Sequence, residues 1–171
     1  ALSRYSDNHA LCFSCRHYIH GDGNPSHSSK PKTRPLEMTG TISAIQDRRI
    51  SLDTAKRYGV TVEHDTSGNI SKHHYPYHDQ AGTKVVGTKV RTVASKDFYA
   101  TGDMQEAGLF GQQTFAAGGK YITVTEGEID AMAAFEMNGG FPAVSIKGGA
   151  KSAVKDIKAS LEYLETFDSI V

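Results

Sequence analysis

The chain has 171 residues and a mass of 18.5 kDa, with 38% hydrophobic residues and a mean hydropathy of −0.42. That suffices for one domain, or two small ones, with a modest core. No apolar run approaches the ~18 residues needed to span a bilayer, and no signal-like start is seen, so a membrane protein is excluded and a cytoplasmic location expected. Two cysteines exclude a disulfide scaffold and point to a reducing compartment. Net charge is zero but unevenly spread: +4 over residues 1–57, −1 over 58–117 and −3 over 118–171. A basic front and an acidic back suit a polyanion-binding part ahead of a cation-binding part, or simply a solvated surface.

Residues 1–20 are dense in Cys, His and aromatics. Residues 21–35 hold three prolines and no large apolar residue, so they cannot bury a core and read as a flexible linker. From Leu36 the main part begins. Ser51 to Gly59 reads as a short helix, with Ser51 as N-cap, Asp53 in the first turn and Gly59 just past the end. Residues 60–63 suit a strand and 66–69 a turn. Tyr75–Asp79 suits an edge strand, since Pro76 bars it from the middle of a sheet. A turn over 79–82 and an alternating strand over Lys84–Arg91 complete a small antiparallel α+β subdomain. His73, His74 and His78 read as a histidine-rich surface strand, because Pro76 forbids the helix that would bring His74 and His78 onto one face.

The pattern changes after Gly118-Gly119. Residues 121–125 are a β-branched strand, 129–137 a helix and 143–146 a second strand. Over 151–166, Val154, Ile157, Leu161, Leu164 and Phe167 predict one helix with a continuous apolar face. Asp168–Val171 opens a third strand. The order β-α-β-α-β implies a parallel sheet with crossover helices. A third strand opening where the chain stops, together with the absence of an initiator Met, is read as the mark of a fragment.

Val124-Thr125-Glu126-Gly127-Glu128-Ile129-Asp130 follows a strand and opens a helix. In a parallel sheet that junction lies at the ligand-binding edge. Gly127 is expected to permit a sharp turn there. Glu126 and Asp130, four apart, can face one pocket and suit Mg²⁺ bound with phosphates, though acids at a helix start also favour the macrodipole. Thr83 to Lys96 carries four cations and no acid, either a phosphate-binding strand or a solvated basic one. Cys12 and Cys15 form a CxxC that reads as half of a zinc ribbon, as a local site closed by His17 and His20, or as no metal site. Arg16, His17, Phe13 and Tyr18 interleave cations and aromatics, which suits single-stranded DNA or ribbon packing alike.

The Thr-Glu-Gly-Glu-Ile-Asp run after a β-branched strand resembles the first motif of the Toprim domain, shared by bacterial-type primases, topoisomerases and some nucleases. Lys89-Val90-Arg91, Lys96 and Phe98 resemble the basic motif of phage primases. Thr101-Gly102-Asp103, Gly108-Leu109-Phe110-Gly111 and Val144–Ala150 resemble the segments that follow. Asn8–Cys15 resembles the second half of a primase zinc ribbon. In order and spacing, over about 160 residues, the chain is similar to the N-terminal half of the bifunctional primase–helicases of tailed phages.

The resemblance implies an α/β fold: a truncated Toprim-type parallel sheet over 118–171, preceded by an α+β subdomain over 36–117, a linker over 21–35 and a partial zinc ribbon over 1–20. It implies Mg²⁺-dependent synthesis of RNA primers from ribonucleoside triphosphates on a single-stranded DNA template during replication. Glu126 then acts near the attacking 3′-hydroxyl, Glu126 and Asp130 hold Mg²⁺, and Lys89, Arg91 and Lys96 hold nucleotide. Cys12 and Cys15 hold Zn²⁺, with the other ligands absent. A helicase domain and a hexameric ring are implied for the intact protein. The Asp-x-Asp motif expected after the third strand is also absent, so the 171-residue piece is expected to be inactive alone. The rival readings are another Toprim nuclease or topoisomerase-like enzyme, and a non-catalytic module that binds single-stranded DNA.

Overall fold

The structure is a computed structural model that describes residues 2–12, 14–21 and 34–171. It divides into two compact units, residues 1–33 and 34–171. In the first, β1 (Leu2–Arg4), β2 (Ala10–Cys12) and β3 (Tyr18–Ile19) form a small antiparallel sheet in that order. Cys12 ends β2, and Cys15 lies in the turn that follows. Most of the expected linker, and Phe13, fall outside the described residues.

The second unit begins with a covering segment that leads into α1 (Leu52–Tyr58). The Ser51 hydroxyl accepts from the Thr54 N–H, and Gly59 closes the helix at φ +73°. Both are roles the side-chain chemistry demands: a short oxygen acceptor at one end, no Cβ at the other. Next come β4 (Thr61–His64), β5 (Ile70–His78), β6 (Val85–Thr92) and β7 (Phe98–Gly102), an antiparallel sheet in sequential order.

Two expectations fail on β5. It is a central strand, not an edge, and His73 and His74 are buried rather than on the surface. The register of β4 ends with Thr61 opposite His74, so Pro76 two residues on pairs only with Thr88 of β6. The proline therefore meets a local edge inside a central strand, where its missing N–H costs no ladder bond to β4. Burial of the imidazoles is paid for by partners: His73 bonds the Tyr75 hydroxyl (2.9 Å) and Asp47 (3.0 Å), and His74 bonds Glu63 (3.0 Å).

The remaining elements are β8 (Gly119–Thr125), α2 (Glu128–Met137), β9 (Ala143–Ser145), α3 (Ala153–Ala159), α4 (Leu161–Leu164) and β10 (Phe167–Ile170). Strands β10, β8 and β9 form the expected parallel sheet, with β8 in the middle. The single helix expected over 151–166 is not formed. It breaks at Ser160, which is buried and donates its hydroxyl to Gln80 (3.1 Å). A serine engaged in a tertiary hydrogen bond competes with helix continuation. Val154 and Leu161 are exposed, while Leu164 and Phe167 are buried, so the expected continuous apolar face is not buried as one stripe.

One core joins both sheets. Tyr58, Tyr75, Tyr77 and Phe110 from the front half pack in the same cluster as Ile122, Met132, Val144 and Leu164 from the back half. Tyr58 donates to the Ala143 carbonyl (2.8 Å) and stacks on Phe110 (5.4 Å between ring centroids). The Phe110 backbone exchanges two hydrogen bonds with Ser145, which fastens the Gly-Leu-Phe-Gly segment to β9.

Candidate active site

Strand periodicity builds one wall. On β6 and β7, Lys89 lies opposite Ala100, and Arg91 opposite Phe98. On β5, Tyr75 lies opposite Lys89, and Tyr77 opposite Gly87. Side chains two apart share a face, so Lys89, Arg91, Phe98, Tyr75 and Tyr77 all project from the same side of the antiparallel sheet. The other wall is the C-terminal edge of the parallel sheet. Glu126 follows the tip of β8, and Lys147 follows the tip of β9.

The walls enclose a groove of about 440 Å³ lined by Glu126, Gly127, Glu128, Asp130, Lys89 and Phe98, with Lys147–Gly149 at its end. Glu126 and Asp130 are both exposed. Glu126 accepts one hydrogen bond, from the Ala150 N–H (3.3 Å). Gly127 is extended (φ −123°), so the freedom expected of it as a sharp turn is not used. A Cβ there would lie 2.9 Å from an Asp130 carboxylate oxygen, the far end of an exposed side chain that can move aside.

Glu128 was not singled out by sequence reasoning, yet it organises the groove. It is buried, and one carboxylate oxygen accepts from both Lys89 Nζ (2.7 Å) and the Tyr77 hydroxyl (2.5 Å). Lys89 also donates to the Lys147 carbonyl (3.0 Å), so its ammonium is fixed between the sheets. The Tyr77 hydroxyl is held far above the usual phenol range by burial, and further by the Glu128 charge. It therefore remains a donor to Glu128.

Lys147 and Asp156 form a second pair that the sequence did not signal. Asp156 is buried and accepts from the Lys147 N–H (3.0 Å), the Gly148 N–H (3.3 Å) and the Ser152 hydroxyl (2.8 Å). It thereby ties down the glycine turn after β9. The Lys147 ammonium donates to the Ala107 carbonyl and lies 3.9 Å from Asp156. Burial pushes its pKa down, and the Asp156 charge opposes that shift.

Of the sequence-named residues, the structure brings Glu126, Asp130 and Lys89 to one groove. Arg91 is buried on the same sheet face, with one guanidinium nitrogen unpartnered, and is not among the groove-lining residues. Lys96 lies in the exposed turn between β6 and β7, in a left-handed conformation (φ +60°), and does not line the groove either. In the first unit, the Cys15 and Ser14 backbone and the Cys15 side chain bond the Cys12 sulfur and hold its pKa below the usual thiol value. Among the described residues no group of three or more His, Cys, Asp or Glu is arranged to hold a metal, and no helix is long and apolar enough to cross a membrane.

Comparison with known proteins agrees with this architecture. No protein-family model matches the chain. A DNA helicase/primase of Enterobacteria phage T3 is 32% identical over 188 aligned positions, which cover 99% of this chain and 31% of that relative's length. The crystal structure of the primase fragment of the bacteriophage T7 primase–helicase is 33% identical, with a TM-score of 0.71, covering 99% of this chain and 71% of that one. Primase domains of the T7 protein, in a structure with the lagging-strand DNA polymerase, an RNA/DNA hybrid and dTTP, are 30% identical with a TM-score of 0.67, covering 99% and 71%. With the exposed carboxylates, the fixed lysine and the parallel-sheet edge already in place, these relatives settle the family: the chain belongs to the primase domain of the phage primase–helicases.

Proposed function

We propose that this chain carries the nucleotidyl-transfer site of a phage DNA primase, which joins ribonucleoside triphosphates into short RNA primers on single-stranded DNA. The observation that carries the reading is the pairing of two exposed carboxylates, Glu126 and Asp130, with the fixed ammonium of Lys89 across one groove at a parallel-sheet edge. Phosphoryl transfer is chiefly positioning plus charge neutralisation, and this groove offers both signs of charge. Residues 118–171 serve as a Toprim-type module, and 36–117 supply the basic wall.

The donor set fits Mg²⁺. Glu126 and Asp130 are hard oxygen ligands, and Mg²⁺ is usually held by one or two carboxylates together with water and phosphate oxygens. These two residues would hold the ion, whose chemistry there is neutralisation of charge on the transferred phosphoryl group. In this reading Glu126 acts near the attacking 3′-hydroxyl, as base or as metal partner. Lys89, clamped by Glu128, meets the triphosphate without having to be ordered first. Residues 1–20 form a zinc module in this reading: Cys12 and Cys15 supply two thiolate ligands, and backbone N–H groups aimed at the Cys12 sulfur favour the thiolate form. In the same reading the zinc module reads the single-stranded template and delivers it to the polymerase part, and a helicase domain and hexameric ring belong to the intact protein.

The test is incorporation of labelled ribonucleotides on single-stranded DNA by the intact phage protein that carries this region. Short RNA products that require Mg²⁺ and disappear in Glu126→Gln are expected. Nicking of DNA, or plain DNA binding without synthesis, would overturn the reading.

A further inference from the structure

A second cavity, of about 430 Å³, adjoins the acidic groove and shares Lys89, Phe98, Lys147 and Gly148 with it. Its character differs. The acidic groove is closed by carboxylates, whereas this one runs between Ala100 and Met104 after β7 and Ala159 at the end of α3, and its surface is chiefly apolar. Its volume falls in the ~300–1,000 Å³ range of small-molecule pockets. Its polar and charged lining comes from Lys89, Gln105, Lys147, Ser152, Lys155 and Asp156.

Phe98 is the unusual residue. The residue is 53% exposed, whereas Tyr75 and Tyr77, on the same face of the sheet but two strands away, are buried. The Lys89 ammonium lies 5.4 Å from the ring centroid and the Arg91 guanidinium 6.0 Å from it. Phe98 takes no part in the core, yet it lines both cavities. An exposed ring beside fixed cations, at the border of an apolar chamber and a phosphate-binding groove, matches a molecule with a flat aromatic end and a polyanionic end. Base–aromatic stacking tolerates every base and contributes strongly to nucleotide affinity.

We propose that this chamber is the nucleobase subsite for the incoming nucleoside triphosphate, with Phe98 as its stacking platform and Lys89 and Lys147 at the boundary where base gives way to phosphates. The proposal rests on the reading of the groove as a nucleotidyl-transfer site. Because stacking ignores base identity, Phe98 contributes affinity rather than sequence choice.

The chain contains no tryptophan, so Phe98→Trp installs a single fluorophore at the platform, and the 171-residue chain itself can be titrated. Saturable quenching by ATP, with no quenching by inorganic triphosphate at concentrations that displace the ATP, is the expected result. Phe98→Ala, whose native side chain is outside the core, should weaken ATP binding about tenfold and leave inorganic triphosphate binding unchanged. Equal affinity of ATP and inorganic triphosphate, unaltered by Phe98→Ala, overturns the base subsite while leaving primer synthesis and its loss in Glu126→Gln untouched. Quenching by a single-stranded oligonucleotide but not by ATP overturns it too, since the chamber then takes template. Failure of ATP and inorganic triphosphate alike to bind overturns the groove reading with it.

Discussion

At the scale of residues, the groove depends on a buried acid that touches no solvent of consequence. Glu128 satisfies Lys89 and Tyr77 at once, and its side chain is 5% exposed. Removing one member of a buried pair leaves the other charge without compensation, which costs more than the pair contributes when intact. Glu128→Ala should therefore lower unfolding free energy by about 3 kcal/mol, read from the urea midpoint at constant slope. A loss below about 0.5 kcal/mol would mean that Lys89 finds water and that the clamp is not rigid. Glu126→Ala, at an exposed position with one hydrogen bond, should leave stability within about 0.5 kcal/mol. The two neighbouring acids are thus separable by experiment: one holds the site and the other faces it.

Elements show the same economy. Helix α1 has only seven residues, too short to persist without its caps and its buried face of Thr54, Ala55 and Tyr58. Ser51 caps it and also donates its hydroxyl to Glu136 on α2 (2.6 Å). Ser51→Ala should cost about 1 kcal/mol in thermal or urea unfolding, and Ser51→Gly less. The Gly-Leu-Phe-Gly segment is less tolerant. Gly111 has φ +83°, and a Cβ there would come within 2.6 Å of the Tyr58 ring. Strain and overpacking add, so Gly111→Ala should destabilise by about 3 kcal/mol or more. A near-neutral Gly111→Ala in the same assay would show that Tyr58 can swing away from the core.

For the whole molecule, the buried imidazoles set a pH limit. Burial pushes the pKa of His73 below its ordinary value, against the pull of Asp47, and burial does the same to His78. In the unfolded chain both protonate near their ordinary value of 6.5. Below that pH the unfolded state binds more protons than the folded one, so stability falls as pH falls. Urea midpoints at pH 5.5 should lie below those at pH 7.5, with a smaller drop in His78→Gln. At the alkaline end, burial raises the phenols of Tyr58 and Tyr75, and that of Tyr163 to about 12. The unfolded chain then sheds protons first as pH passes about 10, and stability should fall again. A midpoint that is flat from pH 5.5 to 11 would refute both arguments.

Much of this protein is legible in its sequence, wherever the determining interactions are local. The caps of α1, the turns at 66–69 and 79–82 and the β-branched strand β8 follow from neighbours within a few residues, and the parallel order of the back half follows from the alternation of strands and helices along the chain. As candidates, Glu126 and Asp130 were legible from their place at a strand tip, and Lys89 from the resemblance of its segment to the basic motif of phage primases. What the sequence could not decide was decided by long-range packing. Pro76 reads as an edge residue, and only the start of β4 at Thr61, opposite His74, leaves room for it inside a central strand. The apolar period over 151–166 reads as one helix, and only Gln80, eighty residues away, breaks it at Ser160. Glu128 reads as one more acid at a helix start, and only the stacking of two sheets puts Tyr77 and Lys89 on its carboxylate. Local chemistry has short reach, a few bonds or one helical turn. A buried charge network forms only when distant strands close over it, and its members carry no mark of that partnership in the sequence between them.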